Sequence, residues 1–280
     1  MVHIMTDSAA DFSQHEAKGR NLELIPLPIT FENRIYLQEH DPGFINFYHL
    51  LKEAETIPFT SQASPADYLA RFEAALNAGD EVVLITLSSE LSSTYQSALT
   101  AQAELGCGGI HVVDGYTAVM GQRILVDVAL KMRDEGSTGA LIAEKLQSLR
   151  ERVRVYGMVD TLEYLKKGGR ISKSVALIGT LMNVKPMIEV RDGKVNVIAR
   201  ALGSGAGIKL FFDLIDQGPK IDRDYPIYFG FANTSHNCER FQAEAQVRYQ
   251  LGETRALPIG GVVGTHIGPG ATAIAYIEET

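Results

Sequence analysis

Apolar and polar positions alternate in blocks along this chain. Short apolar runs at Val2-His3-Ile4-Met5, Val82-Val83-Leu84-Ile85, Ile110-His111-Val112-Val113 and Val153 to Val159 read as strands, and each ends on Asp, Ser or Thr. Between them the apolar spacing changes to that of helices. Leu69, Phe72 and Leu76 form one face, Met120, Ile124, Val128 and Met132 a second, and Leu141, Leu146 and Leu149 a third. Gly136 ends the second of these helices. Strands alternating with helices predict a parallel sheet with helical crossovers. Ligands of such sheets lie beyond the carboxyl ends of the strands, where Asp7, Ser88 to Ser93 and Asp114 fall.

Leu22 to Phe31 reads as a further strand, broken by Pro26 and Pro28 into an irregular or edge path. The stretch to Pro58 reads as an excursion from the sheet, with a helix from Ile45 to Glu55. Ser64, Pro65 and Asp67 form a helix start: cap, proline at the first position, acid at the third. In the second half, Asp160 with Glu163 predicts a capped short helix. Leu181 to Val190 is mostly apolar, Asp192-Gly193 is a hairpin signal, and Lys194 to Ile198 is the returning strand. Gly203-Ser204-Gly205-Ala206-Gly207 opens a helix as a flexible connection and lacks the spacing of a phosphate loop. Ile227 to Ala232 and Ile274 to Ile277 are strands. Glycines crowd His266, which predicts a tight turn there.

Composition narrows the function classes. The 280 residues are 45% hydrophobic and 21% charged, with a formal charge of −8. No dense Lys/Arg cluster supports nucleic-acid binding. Cys107 and Cys238 are far apart and outside C-x-x-C spacing, so we expect thiols. No apolar run approaches a membrane span, and the N-terminus is not a secretory signal; the expectation is a cytoplasmic protein.

Two hydroxyl clusters carry the candidate chemistry. Thr86 to Ala98 (TLSSELSSTYQSA) joins a strand to a helix N-terminus, where backbone N–H groups, hydroxyls and the helix dipole favour an anion. A carboxylate and a phosphate fit equally well, and a Ser/Thr cap with nothing bound explains the same residues. In the second cluster the cap accounts for Ser64 and Asp67 but leaves Thr60, Ser61 and Gln62 free to face a cavity. Asp7 suits a metal or hydroxyl ligand, but fixing its own turn through backbone N–H groups is the favoured role. Arg170, after Gly168-Gly169, presents a two-point fork for a carboxylate or phosphate, or belongs to a solvated basic loop. His266 is a lone histidine, structural or able to donate to an anion near Arg170.

In order along the chain, TDSAAD (Thr6 to Asp11), TSQASP (Thr60 to Pro65), LSSELSSTYQSA (Leu87 to Ala98), KGGRIS (Lys167 to Ser172), Lys185-Pro186 and HIGPG (His266 to Gly270) resemble the DegV family. That family includes the fatty-acid-binding subunits of bacterial fatty acid kinase. The resemblance implies a two-domain α/β fold. Residues 1–158 would form an N-terminal parallel sheet with helical crossovers, carrying the hydroxyl-rich carboxylate site. Residues 159–280 would form a C-terminal α/β domain with a mixed sheet, carrying Arg170 and His266. It implies a long-chain fatty acid in an apolar tunnel. Thr60, Ser61, Ser92 and Ser93 would hold the carboxylate, with Arg170 and His266 close to it. The protein would be a carrier, with no cofactor or metal, presenting the acid to a separate ATP-dependent kinase that forms the acyl phosphate. A small-molecule phosphotransferase and a ligand-free regulatory or interaction module are the alternatives. The chain departs from the family pattern at Ser93 (commonly glycine), at Gly115 (often serine), and across 200–209, where Arg200 is the main cation left.

Overall fold

The computed structural model describes residues 1–32, 34–37, 44–106, 108–172 and 183–280. Cys107 and the start of the expected 181–190 run lie outside them. The chain begins with β1 (Val2–Asp7), α1 (Gln14–Gly19) and β2 (Leu22–Ile25). The proline-broken segment splits here: β2 pairs with β1, while β3 (Pro28–Phe31) joins β4 (Arg34–Leu37) and, after α2 (Phe44–Glu53), β5 (Phe59–Thr60) in a separate three-stranded sheet. Next come α3 (Pro65–Asn77), β6 (Glu81–Thr86), α4 (Thr94–Leu105), β7 (Ile110–Asp114), α5 (Val119–Asp134) and α6 (Gly139–Leu149). The first sheet has the order β2-β1-β6-β7 and is parallel throughout. The expected capping box at α3 is present, with the Ser64 hydroxyl and the Asp67 carboxylate each accepting the other's backbone N–H.

The second sheet contains β8 (Val153–Met158), then, after α7 (Glu163–Lys167), β9 (Val184–Arg191) and β10 (Lys194–Leu202). After α8 (Gly203–Gln217) come β11 (Tyr228–Phe231), α9 (His236–Arg248), β12 (Arg255–Pro258), α10 (Gly261–Ile267) and β13 (Thr272–Ile277). Its order is β10-β9-β8-β13-β11-β12, mixed in direction. β8 is hydrogen-bonded between β9 and β13, so a cut after residue 158 would take it from its sheet. The β9–β10 hairpin turns at Asp192 and Gly193 with φ of 52° and 76°, as Asp-Gly predicts.

α5 joins the two halves. Every residue from Val119 to Leu130 is buried, and the helix packs on β1 and β6 of one sheet and on β8, β11 and β13 of the other. Period-two alternation then divides the second sheet. Tyr156, Met158, Met187, Phe229, Ile274 and Tyr276 face α8 and α9 in one core, while Val155, Ile188, Val190 and Ala273 face the α5 side.

Three sequence expectations are corrected. Asp160 does not cap α7. Thr161 Oγ1 accepts the Glu163 N–H at 3.1 Å, while Asp160 receives the Lys185 ammonium at 2.6 Å. The glycine run at 203–207 opens a helix as expected, but it forms the first turn of α8 itself and is not a connection ahead of it. His266 lies on α10, because Gly261 and Gly264 let the Phe47 and Tyr48 rings pack against that helix, with Tyr48 Oη donating to the Ile259 carbonyl at 2.9 Å.

Candidate functional site

Small side chains on the α5-facing side of the second sheet hollow out a cavity. Gly157 on β8 and Ala273 on β13 are cross-strand partners, and Ala271 and Ala118 lie beside them, flanked by Val155, Ile188, Val190 and Val195. A Cβ at Gly157 would come within 3.1 Å of Ile188, so even one methyl group would crowd this floor. Leu27, Leu87, Leu91, Val262 and Ile267 cover it. The empty space within this lining is about 880 Å³, a volume that includes space open to solvent. Its lining is almost wholly apolar, and this wall was not legible in the sequence.

The polar lining comes from separate strand ends, loops and a helix of both halves. Thr60 and Ser61 follow from β5, Ser92 from the turn after β6, Arg170 from the loop after α7, and His266 from α10. Thr60 Oγ1 is 2.8 Å from His266 Nε2. Arg170 Nε donates to the Leu91 carbonyl at 3.0 Å, and Nη1 donates to the Gly168 carbonyl at 2.5 Å. These two bonds fix the guanidinium beside the Ser92 turn without using Nη2. Ser92 Oγ is 2.8 Å from Thr94 Oγ1 and accepts the Thr94 N–H at 3.3 Å, so it also caps α4. Five of the six residues expected from the sequence therefore line one space. Ser93 does not. It is exposed, makes no side-chain cap, and lies outside the cavity lining.

Burial governs the charges. The His266 imidazole is pushed down to about 4, first by desolvation and then by the Arg170 charge, so it is neutral at pH 7. Its Nδ1 is buried without a hydrogen-bond partner and faces Gly168. A side-chain carbon at Gly168 would sit inside contact distance of that nitrogen, which explains the glycine of the KGGR turn. Burial also lowers the Arg170 pKa. The resulting space has one fixed cation, a neutral imidazole and hydroxyl groups, the donor set for a single carboxylate or phosphate oxygen cluster.

Two strand-end aspartates hold the hydroxyl-rich turn from below. Asp7 accepts the Leu87 N–H at 2.7 Å, the Ala9 N–H at 3.0 Å and Gln122 Nε2 at 3.1 Å, which is the expected turn-fixing role. Asp114 accepts the N–H groups of Ser89 and Tyr116 at 3.1 and 3.0 Å. Gly115 has a local reason: a Cβ there would lie 2.5 Å from the Thr86 carbonyl oxygen. Arg200 is exposed on β10. Among the described residues no group of His, Cys, Asp and Glu is placed to hold a metal ion, and no helix is long and apolar enough to cross a membrane.

Comparisons with known proteins bear on the family and the fold. A family model described as an uncharacterised protein of the DegV family matches residues 1–279. A DegV domain-containing protein of Caldanaerobacter subterraneus is 31% identical over 280 residues, covering 99% of each chain. A DegV lipid binding protein from Thermotoga maritima aligns with 100% of this chain and 99% of its own, at 26% identity and a TM-score of 0.90. A fatty-acid-binding DegV family protein from Thermus thermophilus aligns with 99% of each chain, at 28% identity and a TM-score of 0.88. With sequence and fold matched over essentially the full length, the chain belongs to the DegV family.

Proposed function

We propose that this protein binds one long-chain fatty acid, with its tail in the apolar cavity and its carboxylate at Thr60, Ser61, Ser92, Arg170 and His266. The observation that carries this reading is the convergence of those five residues, from separate parts of the chain, on an otherwise apolar cavity. The solved relatives from Thermotoga maritima and Thermus thermophilus bind lipid or fatty acid.

The energetics support a buried tail. A chain of roughly fifteen methylenes at about 0.8 kcal/mol each gives on the order of 12 kcal/mol of burial. Lost chain freedom and motion subtract several kcal/mol. The polar cluster then orients the ligand and selects an acid, rather than supplying most of the affinity.

The protein acts as a carrier. It presents the carboxylate to a separate ATP-dependent kinase, the partner implied by the family resemblance, which forms the acyl phosphate. The test is titration of purified protein with palmitate. Arg170→Ala or Ser92→Ala should weaken binding; unchanged affinity in both variants would refute the head-group assignment.

A further inference from the structure

Ser88 belongs to the hydroxyl-rich turn but lies outside the cavity lining. It is fully buried and joins three parts of the molecule. Its N–H donates to the Thr117 carbonyl, just ahead of α5, at 2.8 Å. Its carbonyl accepts the N–H groups of Leu91 and Ser92 at 3.0 and 3.1 Å, which closes the turn that presents Ser92. Its hydroxyl donates to the Gly193 carbonyl, at the tip of the β9–β10 hairpin, at 2.7 Å. Gly193 is buried there between exposed neighbours, and a Cβ on it would lie 2.7 Å from the Ser88 hydroxyl oxygen. Lys194 and Glu90 pair beside it at 3.4 Å, both exposed, a contact worth little.

The hairpin carries one wall of the cavity. Val155, Val190 and Val195 are successive cross-strand partners on β8, β9 and β10, and all three line the space. Arg170 and His266 belong to the segments that leave β8 and enter β13. From that end the row of Gly157, Ile188 and Ala273 comes first. The valine row lies two residues farther along β8, about 6.6 Å at the rise of a strand. β10 is an edge strand, with no strand on its outer side among the described residues. A hydroxyl from the other half of the molecule therefore holds the free end of this far wall.

We propose that Ser88 is a positioning residue that sets which acyl lengths bind tightly, by clasping the hairpin tip and so seating the valine row against the far methylenes of the chain. The proposal rests on the fatty-acid reading and deepens it. Without the Ser88 hydroxyl the buried Gly193 carbonyl loses its donor, and a buried acceptor left unpaired is costly. The tip relieves that cost by moving toward water, and the valines on either side of it withdraw with it. A gap of about 0.5–1 Å forfeits roughly a quarter to a half of the dispersion contact on the methylenes that faced them. An acid too short to reach the row has no such contact to lose.

The test titrates saturated acids from eight to eighteen carbons into wild type, Ser88→Ala, Gly193→Ala and Ser92→Ala, with a thermal melt of each to confirm folding. Ser88→Ala deletes the bond. Gly193→Ala reaches the same contact from the other side, by crowding the Ser88 hydroxyl, so either variant decides the matter if the other does not fold. Each should match wild type within about twofold for the shortest acids that bind. Each should lose about fifteenfold for the longest, the affinity carried by roughly two buried methylenes. Ser92→Ala, which acts at the carboxylate, should lose the same factor at every length. A loss of equal size at all lengths in a folded clasp variant, or no loss at any length, would overturn the clasp and leave the fatty-acid reading intact. Failure of wild type to bind any of these acids would instead refute that reading, and the clasp with it.

Discussion

The Ala273→Leu substitution narrows the cavity from the sheet side. Ala273 is 5% exposed, sits opposite Gly157 on the adjacent strand, and belongs to the small-residue floor that makes the hollow. Leucine adds three carbons directed into empty space, displacing about three methylenes of a chain that fills it. At about 0.8 kcal/mol per methylene the loss is about 2.4 kcal/mol, or roughly 60-fold in affinity for the longest acid that fits wild type. An acid about three carbons shorter should lose little. The assay is a displacement titration with saturated acids from twelve to eighteen carbons, with a thermal melt to confirm that the variant is folded. A uniform loss across all lengths, or no loss at any, would refute the assignment of this space to the acyl chain.

Further outcomes follow from the same geometry. Gly168→Ala should expel the His266 ring from its place beside the turn and weaken fatty-acid binding, measured by titration, with little change at sites remote from the head group. Binding of a permanently charged ligand, hexadecanesulfonate, should strengthen as pH falls from 7 and level off below about 4. The free protein protonates His266 only near that value, whereas a bound anion raises it; His266→Gln should flatten the profile. Burial raises the Asp7 carboxyl from 3.8 to about 6, so the folded state holds its proton more tightly than the unfolded chain does. The stability this contributes is complete below pH 3.8 and lost as pH rises through 6, about 3 kcal/mol in all. Urea unfolding of wild type and Asp7→Asn across that window should show a steeper decline for wild type; equal slopes would contradict burial as the cause.

The sequence carried the polar end of the site better than its apolar end. Strand-end Asp and Ser residues, the Ser64 cap and the Asp-Gly hairpin are local signals, fixed by a few neighbouring atoms. Thr60, Ser61, Ser92, Arg170 and His266 sit in motifs short enough to recognise, and their convergence followed from family resemblance. Ser93 sits at the N-cap position of α4, makes no side-chain cap there and is exposed, outside the lining that Ser92 joins. The hollow of Gly157 and Ala273 depends on the register of two strands more than a hundred residues apart, which no local pattern encodes. α9 was not foreseen although Cys238, Phe241 and Ala245 keep helical spacing, because three modest apolar residues stand among many polar ones. His266 read as a turn residue because the glycines that seat α10 against Phe47 and Tyr48 are also turn residues in isolation.

Native mass spectrometry of the purified protein, followed by release and weighing of any bound lipid, tests the central claim most directly. The account predicts one long-chain fatty acid per chain, lost or diminished in Arg170→Ala. A protein that carries no acid and takes up none when palmitate is supplied would contradict it.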